Sequence, residues 1–234
     1  MDNEPISWHP GFAEGLRENY IKYSDGLEFN SEFQLAKEPL RIDILVIKKR
    51  PELVVDTGTG RIFRGHNIFE YKSPGDYASV SDFQKSCAYV WLYAVESKAD
   101  ILDITLSFVV ASHPKALLGY CTERLGYAVE EKYPGIHYVT GGVVPIQVIV
   151  SPKLGGEEAI WLGSLRADLN ASDMEKLLRV SMERTVYKRR PAFLNVILAA
   201  NPKTLREVRE MIMTQGLREA LIDLGLAAEW EKQG

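Results

Sequence analysis

An α/β fold is predicted for this 234-residue chain by two observations. Apolar runs of strand length alternate with stretches of helical periodicity. Their order is helix, strands, helix, strand, helix, which suits neither a bundle nor a sandwich. Residues 9–23 set Phe12, Leu16, Tyr20 and Tyr23 on one helical stripe; Gly15 weakens it and Asp25-Gly26 ends it. Residues 27–36 read as a first strand. LRIDILVIKK (40–49) is a nearly unbroken apolar strand whose exception is Asp43. PELVV (51–55) reads as a short strand, DTGTGRIFRG (56–65) as turn chemistry around a brief apolar segment, and NIFEYKS (67–73) as a strand closed by Pro74-Gly75.

Asp76 or Ser79 can cap the next helix, in which Val80, Phe83, Cys87, Val90, Trp91 and Ala94 recur at spacings of three and four, a flank that packs on a sheet. ILDITLSFVVAS (101–112) is a further strand, and His113-Pro114 opens a helix through Leu118 and Leu125 to Gly126. Strands are expected near 127–131, 136–140, 145–150 and 158–162. From about Asn170 the pattern is helical, with a start at Ser172-Asp173 and Glu175 and punctuation at Asn201-Pro202 and Gly216. The predicted organisation is an α/β domain over 9–165 and a helical extension over 170–234 packed on it.

The composition, 46% hydrophobic and 26% charged, is that of a soluble globular chain. No apolar run is long enough to span a bilayer, and the first residues lack the basic flank and apolar core of a signal peptide. A cytoplasmic protein with no membrane partner is expected. Cys87 and Cys121 are too few for a disulfide framework and read as buried thiols. The net charge of −4, from 28 basic and 32 acidic residues, counts mildly against a broad duplex-binding face, although local charge at a cleft matters more than the sum. Neither a dinucleotide fingerprint nor a Walker-type phosphate loop is present.

The chemistry-bearing residues are Asp43, Glu70 and Lys72. Side chains two apart on a strand share a face, so Glu70 and Lys72 point one way while Phe69 and Tyr71 point the other. If the two strands are neighbours, Asp43 stands beside Glu70, and two such carboxylates repel unless a cation bridges them or a proton is taken up. Mg²⁺, with its preference for hard oxygen ligands and retained waters, is a natural bridge. Lys72 would then orient or help deprotonate a metal-bound water, or offset charge on phosphorus, and the Tyr71 carbonyl could add a ligand. The competing reading is structural: Glu70 and Lys72 on a solvated strand face, with Asp43 paired to Arg41 or Lys48.

The segments RIDILVI and NIFEYKSPGD resemble those of the PD-(D/E)XK nuclease superfamily, in particular its nuclease-family transposase-like bacterial proteins. The order of elements over residues 9–112 is similar to that family's core: helix, antiparallel β-meander, helix, parallel strand. The resemblance implies a restriction-endonuclease-like core with additional strands and a helical C-terminal region. It implies catalytic Asp43, Glu70 and Lys72, metal ligands Asp43 and Glu70, to which the strand-end reading adds Tyr71, and Mg²⁺ or Mn²⁺ as cofactor. The implied activity is metal-dependent phosphodiester hydrolysis of DNA; the alternative is a catalytically inactive binding or regulatory module on the same fold. It further implies a carboxylate from the first helix, Glu14 before Glu18, and a glutamine after the motif strand, Gln84, with Tyr89 a poorer match for the tyrosine that sometimes follows. The sequence departs from the pattern in reading Arg-Ile-Asp where the family has Pro-Asp, and in the offset of 27 positions from Asp43 to Glu70.

Arg61, Arg64 and His66 precede the motif strand and are expected to flank the cleft as phosphate contacts, with Lys48, Lys49 and Arg50 at its other end. Ser73 either caps the following turn or touches substrate. His9, His113 and His137 are scattered, with nothing to mark them as ligands. Trp91 and Trp161 are expected in the core. YKRR (187–190) is a basic run for which a general surface role is expected. The C-terminal helices are a candidate surface for a protein partner, and self-association is left open.

Overall fold

The computed structural model describes residues 8–34, 41–183 and 190–211. One seven-stranded mixed sheet organises them, in the order β1-β2-β3-β4-β7-β6-β5. Helix α1 (Trp8–Asn19) and a 3₁₀ segment, Ile21–Gly26, lead into β1 (Leu27–Gln34), which pairs antiparallel with β2 (Arg41–Lys48). β2 pairs antiparallel with β3 (His66–Tyr71). Helix α2 (Val80–Ser97) then carries the chain over to β4 (Ile104–Val110), parallel to β3, as a parallel neighbour requires. After α3 (Lys115–Gly119) come β5 (Ala128–Tyr133), β6 (Ile136–Thr140) and β7 (Ile146–Val150). β7 lies parallel to β4, and β6 is antiparallel to both β7 and β5. Every residue of β4 and β7 is buried whereas β5 is mostly exposed, the burial gradient of a central and an edge strand.

Two apolar layers sandwich the sheet. On one face α2 and α3 bury Phe83, Val90, Tyr93 and Leu117 against Leu45, Ile68, Phe108 and Val148. On the other, α1 lies with α4 (Glu158–Trp161), α5 (Ala171–Glu183), α6 (Arg190–Ala200) and α7 (Pro202–Met211). There Phe12, Leu16, Trp161, Leu177, Phe193 and Leu194 join the strand residues Ile44, Phe69 and Ile149 in a single cluster. Gly15, which reads in the sequence as a weak point of the first helix, is a notch for α6: a Cβ there would stand 2.8 Å from Cε2 of Phe193. One turn earlier, a Cβ on Gly11 would stand 3.0 Å from Cβ of Val196.

Several expected elements take other forms. Residues 51–55 form no strand, because β1 and β3 already occupy both edges of β2; the chain turns instead, with Leu53 N–H donating to the Arg50 carbonyl at 3.1 Å. In place of the strand expected at 158–162 stands the helix Glu158–Trp161, closed by Leu162, whose N–H bonds the Glu158 carbonyl at 3.0 Å. The helix expected from His113 to Gly126 is α3 followed by a π-type segment, Tyr120–Arg124. Asn170 caps α5, accepting from Asp173 N–H and donating back to the Asp173 carboxylate, each at 2.9 Å. Trp161 is in the core, but Trp91 is 52% exposed, since the buried stripe of α2 runs through Phe83, Val90 and Ala94. Cys121 is buried and Cys87 half-buried; burial pushes both thiols up to about 11. Gly216 and residues 187–189 of the basic run lie outside the described residues.

The turn after β2 is anchored by a buried polar knot. The Thr59 hydroxyl lies 2.5 Å from the Tyr20 hydroxyl and donates to Glu158 Oε1 at 2.5 Å, while the Thr59 carbonyl accepts from Gln147 Nε2 at 2.8 Å. These bonds hold residues 57–60 against β7 and α4 and fix the path by which the chain enters β3.

Candidate functional site

The site is built where the β2–β3 ladder ends. The paired register runs from Ile47↔His66 to Ile44↔Phe69, so the next positions to face each other are Asp43 and Glu70. In place of a backbone carbonyl, the Asp43 side chain takes the next N–H: its Oδ2 accepts from Tyr71 N at 2.8 Å. The N–H and C=O of a strand residue face the same edge, so the Tyr71 carbonyl opens onto the same gap. Asp43 is aimed there by an irregularity. Ile42 packs on the α2 layer and Ile44 on the α1 layer, although residues two apart on a regular strand share a face. On β1, between the pairs Ser31↔Ile44 and Phe33↔Ile42, Glu32 has φ of 51°, a strained value for a residue with a side chain.

Glu70 is 8% exposed. Burial, with the Asp43 charge adding to it, raises its pKa from 4.5 to about 7. Burial likewise raises Asp43, against the opposing pull of the Tyr71 N–H, His9 and Lys72. Lys72 Nζ stands 3.4 Å from Glu70 Oε1 and 2.7 Å from Asp82 Oδ1. Burial disfavours its charge, but the Asp82 hydrogen bond and the surrounding carboxylates outweigh that and raise its pKa. Its backbone N–H remains tied to the Val109 carbonyl at 2.9 Å, so the group rides on the paired end of β3 and β4.

Three neighbours escaped the sequence reading. Asp82, on the first turn of α2, holds Lys72. Lys85, one turn further, feels the Glu70 charge, and its Nζ lies 5.2 Å over the Tyr89 ring. His9 stands with Nδ1 3.9 Å from Asp43 Oδ1 and its ring edge-on to Tyr71 at 6.0 Å. Beside Asp43 opens a hollow of about 280 Å³, lined among others by His9, Glu14, Arg17, Ser31 and Glu32. The S-x-x-D spacing of Ser79 and Asp82 is the one signal that could have placed Asp82 at the start of a helix.

The other expected residues are not all gathered here. Glu14 reaches the hollow beside Asp43, but its Oε2 accepts the Phe193 N–H of α6 at 2.5 Å, so it caps a helix N-terminus. Among the described residues no three His, Cys, Asp or Glu side chains form a group able to hold a metal ion; Glu14 is not a third carboxylate beside Asp43 and Glu70. Gln84 is exposed and donates to the Tyr120 hydroxyl at 3.2 Å. Arg61 and Arg64 do not flank the site. Arg64 enters β3 at the far end from Glu70, roughly 20 Å along the strand at about 3.3 Å per residue, and its guanidinium bonds the Leu102 carbonyl. Arg61 is taken by Asp56 at 2.8 Å and by the Tyr133 hydroxyl at 2.7 Å. Lys48 is at that same far end, because Ile47 pairs with His66. Ser73 forms the turn after the strand, its carbonyl accepting Asp76 N–H at 2.9 Å.

The donors present, two carboxylates and a strand-end carbonyl, are all hard oxygens, a set that suits Mg²⁺ or Mn²⁺ with waters completing the shell. The upward shift of Glu70 fits the same group, because a nearby cation would offset the charge that burial disfavours. Among the described residues no helix is long and apolar enough to cross a membrane. No protein-family model matches the sequence, and no curated protein or solved structure matches it either.

Proposed function

We propose that the protein is a divalent-metal-dependent phosphodiesterase acting on DNA, built on a restriction-endonuclease-like core formed by α1, the β1–β2–β3 meander, α2 and β4. The observation that carries the reading is the convergence of Asp43, Glu70 and Lys72 at one strand end, with Glu70 raised to about 7 by burial and by Asp43. A buried carboxylate pair is costly as a purely structural device, and sites with shifted ionisation and a specific charge partner are concentrated where chemistry occurs.

In this reading Asp43, Glu70 and the Tyr71 carbonyl hold Mg²⁺ or Mn²⁺. When bound, such an ion polarises a phosphoryl oxygen and lowers the pKa of a coordinated water. The raised pKa of Lys72 keeps its Nζ an ammonium at neutral pH. It therefore donates hydrogen bonds and offsets charge gathering on the phosphoryl oxygens, the kind of electrostatic help that contributes most to such reactions. The Tyr71 N–H fixes Asp43 Oδ2 and leaves Oδ1, 3.9 Å from His9 Nδ1, as the oxygen that would meet the ion. Burial of Glu70 and Lys72, with side chains 10% and 13% exposed, limits the water that competes for them.

The test is cleavage of supercoiled, linear and single-stranded DNA in Mg²⁺ or Mn²⁺ by the wild type, Asp43→Ala and Lys72→Ala. The reading expects cleavage by the wild type and losses of at least about 100-fold in both variants. Equal background in all three would contradict it.

A further inference from the structure

Lys72 has two carboxylates to choose between, and the structure shows which it prefers. Its Nζ is 2.7 Å from Asp82 Oδ1 and 3.4 Å from Glu70 Oε1. Asp82 is itself immobilised. Its Oδ2 accepts from the N–H and the hydroxyl of Ser79, at 2.9 and 2.6 Å, and its own N–H donates back to the Ser79 hydroxyl at 3.1 Å. This reciprocal cap opens α2. One oxygen of Asp82 is thus committed to starting the helix, and the other is presented to the lysine. Burial works against the Asp82 charge, but the bonds from Lys72 and Ser79 prevail and bring its pKa down to about 2, so it is anionic throughout the neutral range.

We infer that Asp82 is a positioning residue: it draws the Lys72 ammonium away from Glu70 and so leaves the Glu70 carboxylate open to a divalent cation. The inference rests on the cation site proposed for Asp43 and Glu70. An ammonium and a metal ion compete for the same carboxylate oxygens, and the competition is sharp where little water screens it. The side chains concerned are 13%, 10% and 23% exposed for Lys72, Glu70 and Asp82. Without Asp82 the closest remaining anion for Lys72 is Glu70, and the ammonium would close on it. Lys85 also carries charge toward Glu70, but its ammonium lies over the Tyr89 ring.

The experiment is a calorimetric Mn²⁺ titration, at about neutral pH, of the full-length wild type, Glu70→Gln, Asp82→Asn, Lys72→Met and the double variant. Asparagine keeps an oxygen for the Ser79 N–H, so α2 retains its start, and circular dichroism establishes that each variant is folded. Removing Asp82 should weaken Mn²⁺ binding by about tenfold, the range of contacting pairs. In the Lys72→Met background the same change should shift affinity by less than about twofold, because the residue acts through the lysine. Equal weakening in both backgrounds would reduce Asp82 to a distant charge and overturn the inference, as would an unaltered affinity for Asp82→Asn; either result leaves the cation site standing. Wild-type protein that binds no Mn²⁺, or binds it as well after Glu70→Gln, would overturn both.

Discussion

Asp43 and Tyr71 are joined by a side-chain-to-backbone hydrogen bond of 2.8 Å at the point where two antiparallel strands stop pairing. That one contact does two things. It satisfies an N–H that the splitting of the ladder would leave without a partner, and it leaves the second carboxylate oxygen on the side of His9, 3.9 Å from its Nδ1. A strand end usually frays; here it is closed by an acidic side chain, so a structural need and a chemical opportunity fall on the same atoms.

The ionisation of Glu70 has a consequence for stability. Its pKa rises from 4.5 to about 7 on folding, so between those values the folded chain holds a proton that the unfolded chain has released. Stability from this group is therefore full below pH 4.5, falls as pH rises through that window, and stays reduced above it. In metal-free buffer Glu70→Gln should match the wild type near pH 4.5 and exceed it near pH 8 by up to about 3 kcal/mol, the equivalent of a shift of this size. Urea unfolding with a chelator present measures the gap. A difference that does not grow with pH would refute the burial of an ionised Glu70.

Gly15→Ala tests the packing of α1 on α6. At an exposed helix position this change stabilises by about 1 kcal/mol through propensity. Here the new methyl would meet Phe193 at 2.8 Å, and overpacking of this kind costs about 1–3 kcal/mol. A net loss of stability in thermal melts is expected, relieved in part by adding Phe193→Leu. A gain would mean that the two helices do not approach closely at this position.

Thr59→Val addresses the polar knot behind β3. The substitution removes the hydroxyl that meets both Tyr20 and Glu158 and leaves the buried Tyr20 hydroxyl short of a partner. Unsatisfied buried groups cost about 1–3 kcal/mol each, so a loss on the order of 2–4 kcal/mol in denaturant unfolding is expected. A loss below about 0.5 kcal/mol would show the knot to be dispensable.

How much of this was legible in the sequence follows from the range of each interaction. Glu70 and Lys72 share a face by strand period alone, and Asp43 lies beside them because consecutive strands are usually neighbours, so their closeness is legible in the sequence. That of Asp82, Lys85 and His9 is not, because they come from helices whose docking on the sheet is a tertiary outcome. Arg61 and Arg64 were assigned to the cleft on closeness in sequence, which does not tell one end of a strand from the other. The segment 51–55 had strand-like residues but no free edge to join. Glu14 had a site-like position, yet α6, which comes from more than 170 residues later in the chain, claims its carboxylate.

A cation held by Asp43 and Glu70 is the centre of the proposed mechanism. Crystals grown or soaked with Mn²⁺ and measured at an anomalous wavelength test that directly. The expected result is a single strong anomalous peak within about 2.5 Å of oxygens from Asp43, Glu70 and the Tyr71 carbonyl, absent from crystals of Glu70→Gln. A map with no peak there, or with Lys72 Nζ occupying the place between the two carboxylates, would contradict it.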